Sequence, residues 1–367
     1  MERRLAFLRL IICYTLCVCL CAVSVYSIIT TKKPPFTDIL KDGGFWGVNG
    51  GFEEKNGGFW DNNLVFQDTN TQITTSEGAN SDTTVSQNSV SQSVTSSLPT
   101  SAGAVKGNVI EKYISPYTAK LSYNGVYMKN NTSLSINIKN LLASKLSFKI
   151  QKNSEPQVLI VHTHTTETFL PTDAKTYGVN HSSRTTDNSK NMAAIGAIIA
   201  EKLNKAGIKT LHDKTQHDYP QYNGSYSRSA KTVNSYLSKY KSIKIVLDLH
   251  RDSVTVSGND KAKLVTKING KKAAQVMLVM GSQSGSVKNH PNWQENLKLA
   301  LKLQQTMESK YPTLARPLTL SSSRYNQSLS KGALLMEFGT DMNSLDEAKY
   351  SAELVADSLI SLLNTIK

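Results

Sequence analysis

Val158-Leu159-Ile160-Val161-His162-Thr163-His164-Thr165-Thr166-Glu167 is an apolar run that ends in two histidines and a carboxylate. Four consecutive aliphatics after Pro156 predict a buried strand, and whatever follows such a strand in an open α/β sheet sits at the carboxyl edge, where ligands bind. His162, His164 and Glu167 are therefore candidate site residues.

The pattern recurs twice. Ile243-Lys244-Ile245-Val246-Leu247-Asp248-Leu249 runs into His250, Arg251 and Asp252, and Ala333-Leu334-Leu335-Met336 runs into Glu337-Phe338-Gly339. A single histidine at a strand end is commonly a surface or hydrogen-bonded polar residue. Three apolar runs that deliver His, His and Glu, with further carboxylates beside them, point instead to a metal-binding or hydrolytic edge.

Around this edge the chain alternates helix and strand signals. Met192, Ile195, Ile198, Ile199 and Leu203 mark one face of a helix closed by Gly207, and a short strand is expected over Ile208 to Leu211. The polar stretch up to Lys190 carries His181, Arg184 and Asp187, and the one from His212 to Arg228 carries His217, Tyr219, Tyr222 and Tyr226. Loops of this length at a site edge often carry function. A helix with Val233, Tyr236, Leu237 and Tyr240 follows. Lys263 to Ile268 and Lys271 to Gly281 read as a hairpin turning at Asn269-Gly270. Helices are expected from Trp293 to Lys310 and from Leu345 to Leu363. The order predicts one α/β domain with a mixed, mostly parallel sheet flanked by helices.

Residues 107–367 form that domain, with Val109 to Phe148 as a lead-in packed against it. Upstream, Glu2-Arg3-Arg4 and Arg9 mark residues 1–9 as a cytoplasmic start, and Leu10 to Ile29 carry no charge. Some 20 helical residues span about 30 Å, so 10–30 reads as a transmembrane signal-anchor, with the remainder outside the cytoplasm. A cleaved signal peptide is the alternative, but its apolar region is usually only about 7 to 15 residues long. Residues 31–106 read as a flexible linker. It begins with Gly43-Gly44-Phe45-Trp46, repeated as Gly57-Gly58-Phe59-Trp60, and turns to Ser, Thr, Asn and Gln, which bury too little surface to offset chain entropy.

Composition narrows the chemistry further. All four cysteines (Cys13, Cys17, Cys19, Cys21) fall in the apolar span, leaving no disulfide and no thiolate nucleophile outside it. Gly281-Ser282-Gln283-Ser284-Gly285 has glutamine where a serine elbow needs its nucleophile, and there is no glycine-rich phosphate loop. The formal net charge is +14. It favours anionic wall polymers or lipid headgroups, with a basic surface that has no specific partner as the equal alternative; with no basic helix or basic-aromatic motif, nucleic acid is not expected.

The stretches VLIVHTHTTETFLP, IVLDLHRDS and LLMEFGTDMNSLDEA, with NMAAIGAIIAEKLNKAGI between the first two, resemble the stage II sporulation protein P family of membrane-anchored peptidoglycan hydrolases. More distantly, the site is similar to that of zinc-dependent N-acetylmuramoyl-L-alanine amidases. That resemblance implies Zn²⁺ held by His164, Glu167 and His250, with Glu337 acting in catalysis. The second ligand departs from the amidase pattern, and Asp187 is the alternative to Glu167. Arg251 is a candidate oxyanion donor, with a salt bridge to Asp252 as its other reading. His162 is open between ligand, donor to a ligand and buried polar residue, and on an extended chain it points the same way as His164. The resemblance further implies cleavage between muramic acid and L-Ala, cross-link endopeptidase activity, and action with stage II sporulation proteins D and M during engulfment, between mother cell and forespore. A non-catalytic wall-binding or scaffold protein is the rival reading.

Overall fold

The computed structural model describes residues 104–152 and 155–366. The expected cytoplasmic start and membrane anchor, and the linker up to residue 103, lie outside the described residues. Among the described residues no helix is long and apolar enough to cross a membrane.

The elements run β1 (Val105–Lys112), β2 (Leu121–Tyr123), β3 (Val126–Asn130), α1 (Ile138–Ala143), β4 (Val158–Val161), β5 (Thr176–Gly178), α2 (Met192–Lys205), β6 (Thr210–His212) and α3 (Ser225–Lys239). They continue with β7 (Ile245–Asp252), β8 (Thr255–Ser257), β9 (Asp260–Ile268), β10 (Lys271–Ala274), β11 (Val276–Gly281), α4 (Trp293–Lys310), β12 (Leu318–Ser321), β13 (Ala333–Thr340) and α5 (Leu345–Leu363). The main sheet has the order β2-β3-β12-β11-β13-β7-β4-β6. Its pairings are parallel except β2 with β3 and β11 with β13. This is the mixed, mostly parallel sheet that the apolar runs predict. Every residue of β4, β7, β11 and β13 is buried, as strands covered on both faces must be.

Strand alternation sorts the side chains of the central strands. Ile245, Leu247 and Leu249 of β7 and Leu334, Met336 and Phe338 of β13 join the main core with residues of α2, α4 and α5. Val246 packs on the other face with Val233 of α3, and Leu335 there joins Tyr325 and Met277. The period of two therefore sends Asp248, His250 and Glu337 to this second face.

Local signals set the helix ends. Ser344 accepts a hydrogen bond from Glu347 N while the Glu347 carboxylate accepts from Ser344 N, a reciprocal cap that starts α5 directly after the Glu337 strand. Asn191 caps α2 through Ala193 N, and Gly207 at φ +77° ends it.

Two features depart from the expectation of one sheet. A second sheet, β10-β9-β1-β5 with β8 beside β9, takes up part of the lead-in. The expected hairpin turns at Asn269 (φ 49°) and Gly270 (φ 76°), but its second arm is two strands. β10 pairs with β9, and after Gln275 the chain passes into the main sheet as β11. The Gln275 amide accepts from Ile114 N (2.8 Å) and donates to Ile114 O (3.0 Å) and Thr313 O (3.1 Å), which holds the chain at the crossing. β12 is a further strand with no counterpart in the expected order.

Gly339 bends β13 just past Glu337. It has φ +61°, and a Cβ there would stand 2.4 Å from Asn343 Oδ1 and 2.8 Å from Ala274 Cβ. Gly270, at φ +76°, has nothing within 4 Å of that position. Gly270→Ala should therefore cost about 1 to 2 kcal/mol from backbone strain alone, and Gly339→Ala clearly more. Urea unfolding of the two variants checks the ranking; equal losses would show that the tail of β13 yields freely.

Candidate active site

β4 and β7 are parallel neighbours, as are β7 and β13, so the three predicted strand ends fall side by side. Glu337 is directly opposite His250 in the β13–β7 register. His164 and Glu167 come from the turn that follows β4, which is closed by Glu167 N donating to His164 O at 3.2 Å. Ligand atoms of His164, Glu167 and His250 all lie within 4.8 Å of one another. His164 Nδ1 is 3.3 Å from Glu167 Oε1, and His250 Nδ1 is 3.6 Å from Glu167 Oε2.

Glu167 is 5% exposed. Burial would raise its pKa, but the Arg251 guanidinium and the His164 and His250 imidazoles outweigh this and hold the carboxyl well below its usual value. The Arg251 backbone N–H adds a hydrogen bond to Glu167 Oε2 at 3.2 Å. For His250, burial pulls the pKa down while the charges of Asp248 and Glu167 push it well above the ordinary imidazole value. Its Nε2 is 3.0 Å from Asp248 Oδ1.

Glu337 has the opposite environment. It is 5% exposed, and its Oε2 has no hydrogen-bond partner among the described residues. Burial, followed by the charges of Asp252 and Glu167, pushes its pKa up to about 8, against the opposing effects of His250 and Arg316. Asp252 is ion-paired with the buried Arg316 at 3.2 Å.

The remaining candidates are placed elsewhere. His162 is fully buried and turns away: its Nδ1 is 3.2 Å from Leu249 O and its Nε2 2.9 Å from His212 Nε2. Burial lowers its pKa to about 4. The expectation that it shares a direction with His164 fails because β4 ends at Val161 and the chain turns rather than staying extended. Asp187 accepts from Ser189 N and Oγ and pairs with Lys190 at 2.8 Å, outside the cluster. The Arg251 guanidinium donates to Thr168 O (3.1 Å), Asp252 O (3.4 Å) and Ser183 O (2.7 Å).

Both long polar segments contribute. Arg184 Nη2 is 3.7 Å from Glu167 Oε1, and its Nη1 donates to Asp218. Asp218 also accepts from Thr166 N and Oγ1, fastening the second segment to the turn that carries the cluster. The Tyr222 ring stacks on His164 with centroids 4.7 Å apart, and the Arg184 guanidinium lies 4.6 Å from the Tyr222 centroid. Roles for these residues were not legible in the sequence; the aromatic density of 217–226 beside a histidine-rich edge was the available signal.

The donor set tests well against a metal. Two imidazoles and a carboxylate held low in pKa form a donor set that fits a divalent metal such as zinc, and the buried, unpartnered Glu337 Oε2 lies on the same sheet face. The sequence profile of stage II sporulation protein P matches residues 62–360. The chain belongs to this family. The stage II sporulation protein P of Bacillus subtilis (strain 168) is 32% identical over 211 residues, 54% of this chain and 49% of the relative, so the match spans about half of the relative's length. Among solved structures, the CwlD amidase from Clostridioides difficile in complex with the GerS lipoprotein is similar at TM-score 0.36 and 12% identity, covering 57% of this chain and 98% of that one. The N-acetylmuramoyl-L-alanine amidase from Clostridium difficile 630 is similar at TM-score 0.33 and 15% identity, covering 59% of this chain and all of that one.

The environment of Glu337 sets a pH dependence. Its folded pKa lies above that of the unfolded chain, so its contribution to stability is complete below about pH 4.5, is lost as pH rises, and is gone above about 8. In metal-free protein, Glu337→Gln should therefore melt progressively higher than wild type as pH rises from about 4.5 to 8, with no pH-dependent gain below that. Thermal melts across pH check this; a constant difference would place Glu337 in a wet environment.

Proposed function

We propose that this chain is a zinc-dependent peptidoglycan hydrolase that cleaves the amide between N-acetylmuramic acid and L-Ala. The carrying observation is the convergence of His164, Glu167 and His250 beside a buried, raised-pKa Glu337, in a chain of the stage II sporulation protein P family. His164, Glu167 and His250 would hold the ion, which when bound supplies Lewis acidity toward water and the scissile carbonyl.

The protein's own groups do the rest. Glu337 takes a proton from the attacking water and returns it to the leaving nitrogen, because a carboxylate poised near neutrality can do both. Glu337 must be ionised to begin, and a cation in the adjacent cluster favours that form. Tyr222 and Arg184 close over one side of His164 and limit water there. Arg251, whose guanidinium is committed to three carbonyls, is a positioning residue in this reading: it holds Glu167 and the segment from Thr168 to Ser183.

The same site is proposed to act on stem-peptide cross-links, during septal wall degradation and forespore engulfment. Stage II sporulation proteins D and M are its proposed partners. The N-terminal apolar segment anchors the chain in the membrane, with the hydrolase domain between mother cell and forespore.

Two tests follow from this assignment. His164→Ala and His250→Ala should each lose bound zinc and more than 100-fold in activity, whereas Glu337→Ala should lose the activity and keep about one zinc per chain; elemental analysis beside turnover reads both. Activity in a zinc-free His164→Ala, His250→Ala double variant would refute the metal assignment. Removal of residues 31–103 should spare cleavage of soluble substrate and impair localisation, as checked by assays on purified protein and by imaging in sporulating cells.

A further inference from the structure

Asp248 has no part in the reading above, yet both of its carboxylate oxygens accept hydrogen bonds beside the cluster. It sits two residues before His250 on β7, so both side chains leave the same sheet face. Its Oδ1 accepts from Thr163 N at 2.8 Å and stands 3.0 Å from His250 Nε2. Its Oδ2 accepts from Thr163 Oγ1 at 2.6 Å. Thr163 Oγ1 also lies 2.8 Å from Ser229 Oγ of α3. Polar contacts thus run from Ser229 through Thr163 to Asp248, whose Oδ1 lies beside the imidazole.

We infer that Asp248 is the positioning residue of the metal centre: it faces His250 Nε2, keeps the proton there, and so presents Nδ1 unprotonated toward Glu167 and the ion. The inference rests on the zinc reading of the cluster. The geometry is what carries it. An imidazole has two nitrogens, and a ligand must offer one of them bare. His250 Nδ1 faces Glu167 at 3.6 Å, inside the cluster, while Nε2 is buried, makes no aligned hydrogen bond among the described residues, and has Asp248 Oδ1 at 3.0 Å as its neighbouring charge. A carboxylate on the far nitrogen of a ligating histidine fixes its tautomer and orientation and raises its basicity. Asp248 is held in turn by Thr163, which lies between the end of β4 and His164. One carboxylate therefore ties together the two strand ends that carry both histidine ligands.

The alternative is that Asp248 merely fastens the Thr163 turn to β7. The two differ in what a shape-preserving change does. Asp248→Asn keeps volume and an acceptor for the Thr163 amide but removes the charge facing Nε2. Thr163→Val removes the hydroxyl bond and leaves the carboxylate facing the ring. The measurement is zinc affinity of the full-length protein in detergent, by competition with a chromophoric chelator, together with the melting temperature of the metal-free forms.

Asp248→Asn is expected to bind zinc about 10- to 100-fold more weakly than wild type while melting within a few degrees of it in the metal-free form, and Thr163→Val is expected to lose less. Asp248→Asn binding zinc within twofold of wild type with its fold intact would overturn the inference and leave the zinc site standing. Failure of the wild type to bind zinc would remove the metal reading itself. Should Asp248→Asn not fold, the wild type decides: ¹⁵N spectra of the zinc-loaded histidines should show Nε2 of His250 protonated and Nδ1 shifted by metal, and the reverse pattern would overturn the assignment.

Discussion

A buried carboxylate holds this site together. Glu167, isolated at 5% exposure, would be driven toward its neutral form. Instead, two imidazoles, the Arg251 guanidinium and a backbone N–H converge on it and keep it ionised. These groups come from the turn after β4 and from β7, so the carboxylate can be satisfied only if those two strands are parallel neighbours with their ends in register. The fold and the site are one constraint: the charge needs the sheet order, and the sheet order brings the histidines within ligand distance.

Two glutamates a few strands apart show how environment divides labour. Glu167 is surrounded by positive and donor groups and is held low; Glu337 is buried near Asp252 and Glu167, with one oxygen lacking a hydrogen-bond partner, and is pushed up to about 8. A group of the first kind suits a metal ligand, and one of the second kind can exchange protons near neutrality. Strand alternation makes the same division along β7. Asp248 and His250 leave one face, while Arg251, of opposite parity, reaches the loop carbonyls of Thr168 and Ser183.

What was legible in the sequence follows the same physics. The buried runs of β4, β7, β11 and β13 were readable because central strands must be apolar throughout, and helices α4 and α5 because one face of each must be. His164, Glu167, His250 and Glu337 were readable as the residues that end those strands. β12 (Leu318–Ser321) was not, since its alternating Leu-Thr-Leu-Ser pattern is too short to separate from a loop, nor was the small second sheet, assembled from segments far apart in the chain. The break at Gln275 depends on partners at Ile114 and Thr313. Arg184, Asp218 and Tyr222 lie in segments whose course is decided by tertiary contacts. The direction of His162 and the engagement of Arg251 are likewise properties of where the chain turns, which no local pattern records.

The most direct test of the hydrolase assignment is mass spectrometry of purified peptidoglycan after incubation with the zinc-loaded protein. The account predicts stem peptides released with a free L-Ala amino terminus and glycan strands stripped of peptide, with neither formed by Glu337→Ala. Wall that is bound but recovered with every muramyl–alanine amide intact would contradict it.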